Sequence, residues 1–396
     1  MGFELNDISE ERIVLNIGPS HPVSHGVLRV QVELDGETIN RAEPEIGYLH
    51  RCFEKEAEVR TWNQVVPYAE RLNYLSTMNC SFGYVHAVEQ FMGLELPPRA
   101  HAIRVVVAEL GRIIDHMVCL GTNLVDLGAL TNFWYMFNYR EKIYRLIEEL
   151  TGARLMVNYP RVGGSAADIP EGWLDNVLTV LDELGASLKD VQGLIAKNRI
   201  FLDRTQGVGR ITQEEAISYG FTGPCLRATG IARDMRKDTP YWGYEQYDFK
   251  VPTYTEGDTW ARMTIRFDEM FESEKIIRQA IRTFPSGDWR VEDPRVSLPP
   301  KEKVYHTIEG LVNHFKLIFE GIRPPVGEFY GATESVNGEL GFYLVSNGEG
   351  RPYRLRCRPP CFMIYSAFPH IIEGEMIADA IAILGSLNVI AGELER

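Results

Sequence analysis

Seven apolar residues, Ile103, Val106, Leu110, Ile113, Met117, Leu120 and Leu124, advance along the chain in steps of three and four. That is the period of an α-helix with one buried face, and about six turns of it commit this region to a helical core. The stretch before it, residues 71 to 92, is apolar nearly all round. One stripe runs through Leu72, Leu75, Met78, Phe82 and Val85, and another through Thr77, Cys80, Tyr84, Val88 and Phe91. A helix of that kind belongs in the interior. Further helices are predicted at residues 138 to 150, ended by Gly152, at 170 to 200, begun by Pro170 and Glu171, at 258 to 282, and at 369 to 388.

Both ends of the chain change period. Ile13, Leu15 and Ile17 alternate with polar neighbours, and Leu28, Val30, Val32 and Leu34 oppose Arg29, Gln31 and Glu33. These are two half-buried strands of a hairpin, and their long connection carries His21 and His25. Short strands are predicted at 327 to 330, 340 to 346 and 353 to 357, with Asn347-Gly348 as a turn. Residues 241 to 258 read as an ordered irregular loop and 285 to 300 as an exposed connection. No repeat or polar linker divides these parts. The chain therefore reads as one integrated α+β unit: a β-hairpin region at 1 to 62, an α-helical body at 63 to 326, and short strands with a buried helix at 327 to 396.

With 45% hydrophobic and 24% charged residues over 396 positions, the chain can bury a large core. A formal net charge of -14 argues against wrapping nucleic acid or lying broadly on anionic lipid. The most apolar long stretch, residues 371 to 391, carries Glu373, Glu375 and Asp379, which disfavours a membrane span. The N-terminal residues lack a secretory or transit pattern, so a cytoplasmic location is expected. Six cysteines are too sparse for a disulfide scaffold, and Cys357 and Cys361 lack the two-residue spacing of zinc or iron-sulfur knuckles. No metal site is expected.

The common nucleotide, metalloprotease and acyl-transfer motifs are missing. His21 and His25 have a one-turn spacing, but Pro22 and Gly26 oppose a helix there, which leaves a pinned loop able to present imidazoles to a cavity. Tyr74 is placed in the first turns of the buried helix, where its hydroxyl needs a partner or a cavity. Tyr84, deeper in the same helix, reads as structural. Asp126, flanked by Leu124-Val125 and Leu127-Gly128-Ala129-Leu130, is costly unless paired, and a histidine is a natural partner. Arg354, Arg356 and Arg358 share a strand face that is either solvated or a docking surface for an acidic partner.

Several segments together resemble the quinone-site large subunit of respiratory complex I, itself related to the large subunit of nickel-iron hydrogenases. They are Gly18-Pro-Ser-His-Pro-Val-Ser-His-Gly-Val-Leu-Arg29, Gly47-Tyr-Leu-His-Arg51, Pro67-Tyr-Ala-Glu-Arg-Leu-Asn-Tyr74, Asp126-Leu-Gly-Ala, Arg161-Val-Gly-Gly164, Thr222-Gly-Pro-Cys-Leu-Arg-Ala-Thr-Gly230 and Ile377-Ala-Asp-Ala-Ile-Ala-Ile-Leu-Gly-Ser386. The resemblance covers essentially the whole chain and implies a hydrogenase-large-subunit-like α+β fold, a central helical bundle with small β elements at each end. Both hydrogenase Cys-x-x-Cys pairs are missing, and Cys52, Cys361 and the final Glu395 depart from the usual Gly, Ser and Asp.

By resemblance, His25 and Tyr74 hold a quinone head group, Asp126 pairs with His25 as part of the catalytic set, and His21 supports the loop. The implied reaction reduces quinone to quinol with electrons from an iron-sulfur cluster in a neighbouring subunit, this chain binding no cofactor of its own. Implied partners are that iron-sulfur subunit, other peripheral-arm subunits and the membrane-arm subunits, on the cytoplasmic face of a bacterial inner membrane. A membrane-bound hydrogenase-type subunit and a non-catalytic scaffold are the competing readings.

Overall fold

A computed structural model describes residues 12–21 and 24–396. Strands β1 (Arg12–Ile17), β2 (Arg29–Asp35) and β3 (Thr38–Glu45) form an antiparallel sheet in that order, with Leu15 opposite Val32 and Ile17 opposite Val30. The predicted hairpin is present, and β3 is an addition. Its sequence hides it, because only Ile39 and Ala42 are buried and Pro44 removes a donor, which an edge strand tolerates.

Helix α1 (Phe53–Val59) precedes the main helices: α2 (Thr77–Met92), α3 (Pro98–Asp126), α4 (Leu130–Thr151), α5 (Trp173–Ile195) and α6 (Thr259–Arg282). Helix α3 carries the predicted stripe and is buried on nearly every side, packed between α4 and α6. Strands β4 and β5 (Pro160–Arg161 and Gly164–Ser165) form a two-residue ribbon between α4 and α5. Gly152 ends α4 in the left-handed conformation, and the Asp258 side chain caps α6 by accepting from the Ala261 amide.

Three boundaries differ from expectation, each for a local reason. Helix α2 starts at Thr77 rather than at 71, because Asn73 Oδ1 accepts from the amides of Leu75 (3.0 Å) and Ser76 (3.3 Å) and holds a turn there. Tyr74 therefore sits on a turn, not in the helix. The predicted helix at 170 to 200 stops at Ile195, and Asn198 caps a separate short helix, Arg199–Asp203. The predicted final helix at 369 to 388 is broken into Phe368–Ile372 and α8 (Ile377–Leu387), with the short helices Pro360–Ser366 before it and α9 (Ala391–Leu394) after it. The main break occurs where residues 374 to 377 leave helical pairing for β3: the Gly374 amide donates to Ile39 O (2.7 Å) and the Ile39 amide to Glu375 O (2.9 Å).

Residues 285 to 300 form the expected connection and lead into the helix Lys301–His306 and α7 (Ile308–Phe319), neither foreseen. Near the end, β6 (Gly327–Ser335), β7 (Gly338–Ser346) and β8 (Arg354–Arg358) form an antiparallel sheet. Its tight hairpin is at Val336-Asn337, while Asn347-Gly348 lies in the β7–β8 connection. The arginine face of β8 is used within the chain: Arg354 pairs with Glu58 (2.7 Å) and Arg356 with Glu54 (3.0 Å), both on α1, and Arg358 donates to Glu339 O and Gly220 O. Among the described residues no helix is long and apolar enough to cross a membrane.

Candidate functional site at the end of the central helix

The β1–β2 connection starts at Gly18, whose φ of +84° suits glycine and where a Cβ would collide with Leu28 O. His21 and Gly26 then pair across the loop as an antiparallel bridge. Ser24 Oγ lies 2.7 Å from His21 O and 2.6 Å from Gly26 O, so its single hydrogen ties the neck of the turn. This pinching leaves His25 at the tip with φ +51°, a left-handed conformation that a residue with a Cβ adopts only when its surroundings enforce it.

The tip meets the last residue of α3. His25 Nε2 lies 2.6 Å from Asp126 Oδ2, and the two side chains are 18% and 19% exposed. A carboxylate at a helix C-terminus faces the negative end of the helix dipole, so a cationic or donating partner is favoured there. An ionised carboxylate only accepts, which places a hydrogen on Nε2 and leaves Nδ1 for another partner.

Beside this pair lies a cavity of about 470 Å³, within the usual range for a small-molecule pocket. Its walls are mainly apolar, from Leu75, Val118, Phe133, Leu384 and Ile390, and His25, Tyr74 and Asp126 all reach it. Tyr74 is half-buried, and its hydroxyl makes no hydrogen bond among the described residues. Burial raises its pKa above the ordinary tyrosine value, the carboxylate of Asp115 raises it further, and Arg51 works against both. The phenol is therefore kept as a donor.

The structure thus brings together His25, Tyr74 and Asp126 from three separate parts of the sequence. His21 is not a lining residue; it contributes its backbone to the neck of the loop. Tyr84 bonds Trp62 O at 2.9 Å and is structural, as expected.

Residues 126–396 match the family model of the 49-kDa subunit of respiratory-chain NADH dehydrogenase. Over 389 residues the chain is 50% identical to the D-type NADH-quinone oxidoreductase polypeptide of Myxococcus xanthus, covering 98% of this chain and 94% of the relative. It is 48% identical over 388 residues to the D-type polypeptide of Geotalea uraniireducens, covering 98% and 100%. A third relative, the C/D-type NADH-quinone oxidoreductase polypeptide of Bdellovibrio bacteriovorus, is 53% identical over 389 residues, 98% of this chain and 70% of the relative. The chain belongs to the 49-kDa subunit family of respiratory-chain NADH dehydrogenase. It is one component of a multisubunit oxidoreductase.

The interior of the chain is heavily charged. About two and a half turns along α3 from the pocket wall at Val118, Glu109 accepts from Arg236 (3.1 Å), Ser273 (2.6 Å) and Tyr244 (2.6 Å), while Glu269 on α6 accepts from Arg227 (2.7 Å) and pairs with His116 (2.8 Å). Burial pushes Glu269 upward, but Arg227 and His116 overcome it and hold the carboxyl well below the usual range. Arg227 also donates to Glu334 of the C-terminal sheet (2.7 Å), so the lattice fixes α3 against α6 and that sheet, since removing one partner strands a buried charge. Cys357 and Cys361 are buried thiols with pKa values pushed well up by burial, and among the described residues no group of three or more His, Cys, Asp or Glu is arranged to hold a metal ion.

Sequence reasoning missed Asn388, Cys119 and Thr122 in the cavity wall and Asp115 behind it. Asp115 carries the signal that exposed Asp126: a carboxylate between Ile113-Ile114 and Met117 on a core helix.

Proposed function

We propose that this chain forms the quinone head-group site of an NADH-quinone oxidoreductase and supplies protons for reduction to quinol. The carrying observation is a mainly apolar cavity of about 470 Å³ whose wall holds a tyrosine hydroxyl, without a hydrogen bond among the described residues, beside a histidine–carboxylate pair at 2.6 Å. Reduction of a quinone needs two electrons and two protons. The electrons come from an iron-sulfur cluster in an adjacent peripheral-arm subunit. Tyr74 donates a hydrogen bond, and then a proton, to one quinone oxygen. His25 serves the other through Nδ1, because Asp126 occupies Nε2; after the transfer the imidazole is neutral and keeps its bond to Asp126.

Apolar walls favour the ring of a lipid-soluble substrate and exclude water from the proton donors. In this reading the chain is peripheral, lies on the cytoplasmic side of a bacterial membrane and meets it through membrane-arm partners. Loss of a proton from His25 leaves Asp126 without a cationic partner, and this imbalance is the signal passed toward proton translocation.

In the assembled complex, His25→Ala should abolish most quinone reduction while NADH oxidation by a water-soluble acceptor continues. Full quinone reduction and proton translocation by that variant would sink the assignment. Tyr74→Phe should lower quinone turnover in the same selective way, whereas equal loss of both reactions would indicate failed assembly.

A further inference from the structure

Asp115 is wholly buried in the middle of α3, and no cation lies within ion-pair distance of it among the described residues. Three neutral donors hold it instead. Asn73 Nδ2 (2.8 Å) and Ser76 Oγ (2.9 Å) donate to Oδ2, and Asn388 Nδ2 (2.7 Å) donates to Oδ1. A buried carboxyl costs several kcal/mol unless its oxygens are satisfied, so this arrangement is a commitment of the fold.

The donors come from two walls of the cavity. Asn73 and Ser76 flank Tyr74, and Asn73 also accepts from the Leu75 and Ser76 amides, so Asp115 fixes the side chain that shapes the Tyr74 turn. Asn388 ends α8 with φ +54°, lines the cavity with Val389 and Ile390, and further bonds Asn337 in both directions (2.8 and 3.1 Å). One carboxylate on the rigid helix therefore ties together two walls contributed by distant parts of the chain.

We propose that Asp115 is a positioning residue for quinone reduction, setting the place of the Tyr74 hydroxyl through Asn73 and Ser76 and the opposing wall through Asn388. This rests on Tyr74 being a quinone ligand. A second consequence is electrostatic, since the Asp115 charge adds to burial in keeping Tyr74 protonated. The other titratable or charged groups around Tyr74 and Asp115 are Arg51 and Cys361 near the phenol, Cys80, His116, Cys119, Tyr144 and Glu393 around Asp115, and His25–Asp126 at the cavity.

The test uses the assembled complex and three variants. Asp115→Asn keeps the shape but puts an amide hydrogen against one of two asparagine donors, so the network loses a bond. Its expected effect is a fall of about tenfold in kcat/KM for quinone, with oxidation of NADH by a water-soluble acceptor unchanged. Its alkaline limit of quinone reduction should move to lower pH, because loss of the nearby charge lowers the Tyr74 pKa. Ser76→Ala removes one of the three donors and leaves the carboxylate in place. It should lower kcat/KM for quinone by a few-fold, with the soluble-acceptor reaction unchanged and the alkaline limit where it was. If Asp115→Asn assembles with an unchanged KM, kcat and pH profile, the proposal is overturned. If Asp115→Asn does not assemble, Ser76→Ala decides alone: an assembled complex with unchanged kcat/KM for quinone overturns the proposal, and a selective fall in quinone reduction supports it. Tyr74→Phe separates the levels, because normal quinone reduction by that variant removes the underlying reading of the site, whatever Asp115 does.

Discussion

The His25–Asp126 contact sets the scale of the first prediction. At 2.6 Å, with about four-fifths of each side chain buried, it is a charge-assisted hydrogen bond that water screens little. Bonds to a charged group contribute about 1.5–3 kcal/mol, against about 0.5–1.5 kcal/mol for a neutral pair. Asp126→Asn keeps an acceptor of the same shape and removes the charge, so the loss is the difference, about 1.5 kcal/mol, or roughly tenfold in quinone kcat/KM. Asp126→Ala removes the acceptor as well and should cost up to about a hundredfold. Both effects belong to quinone reduction in the assembled complex, with NADH oxidation by a water-soluble acceptor as the control. In a double-mutant cycle with His25→Ala, the Asp126 substitution should add little, because its partner is already gone. Additive losses, or an Asp126→Asn complex within twofold of the parent, would refute the reasoning.

Three more outcomes follow from the same geometry. Glu393 is buried, and desolvation raises its pKa to about 7, with the Cys361 amide opposing and Asp115 adding to the rise. A carboxyl raised in this way favours the folded state while protonated, so its contribution is complete at pH below about 4.5 and disappears as pH rises to about 7. The swing is roughly 3 kcal/mol, and Glu393→Gln should flatten the dependence of the unfolding midpoint between those pH values; an unchanged slope would rule it out. Gly18→Ala drives a Cβ into Leu28 O at φ +84°, which must displace the His25 loop; quinone reduction should fall to below about a tenth while the soluble-acceptor reaction persists. Tyr84→Phe leaves Trp62 O unpaired, at a stability cost of about 1–3 kcal/mol by denaturant titration, with no change in the KM for quinone.

The features that sequence carried alone were those set by local periodicity and by the cost of burying charge. The 3.6-residue stripe of α3, the β1–β2 alternation, the Gly152 stop and the Asp258 start all lie in contiguous residues, where one face must be apolar or one end must be capped. Asp126 stood out because a carboxylate among leucines demands a partner. Where side chains from distant segments compete with the local pattern, only the tertiary structure decided. Asn73 turned the start of an apolar helix into the turn that carries Tyr74, and pairing with β3 broke the apolar run near Gly374. The partner of Asp126, 101 residues away, and the donors that join Asp115 to both cavity walls exist only once α3 is packed. A stripe records which face is buried; which atoms meet across that face depends on every element that closes over it.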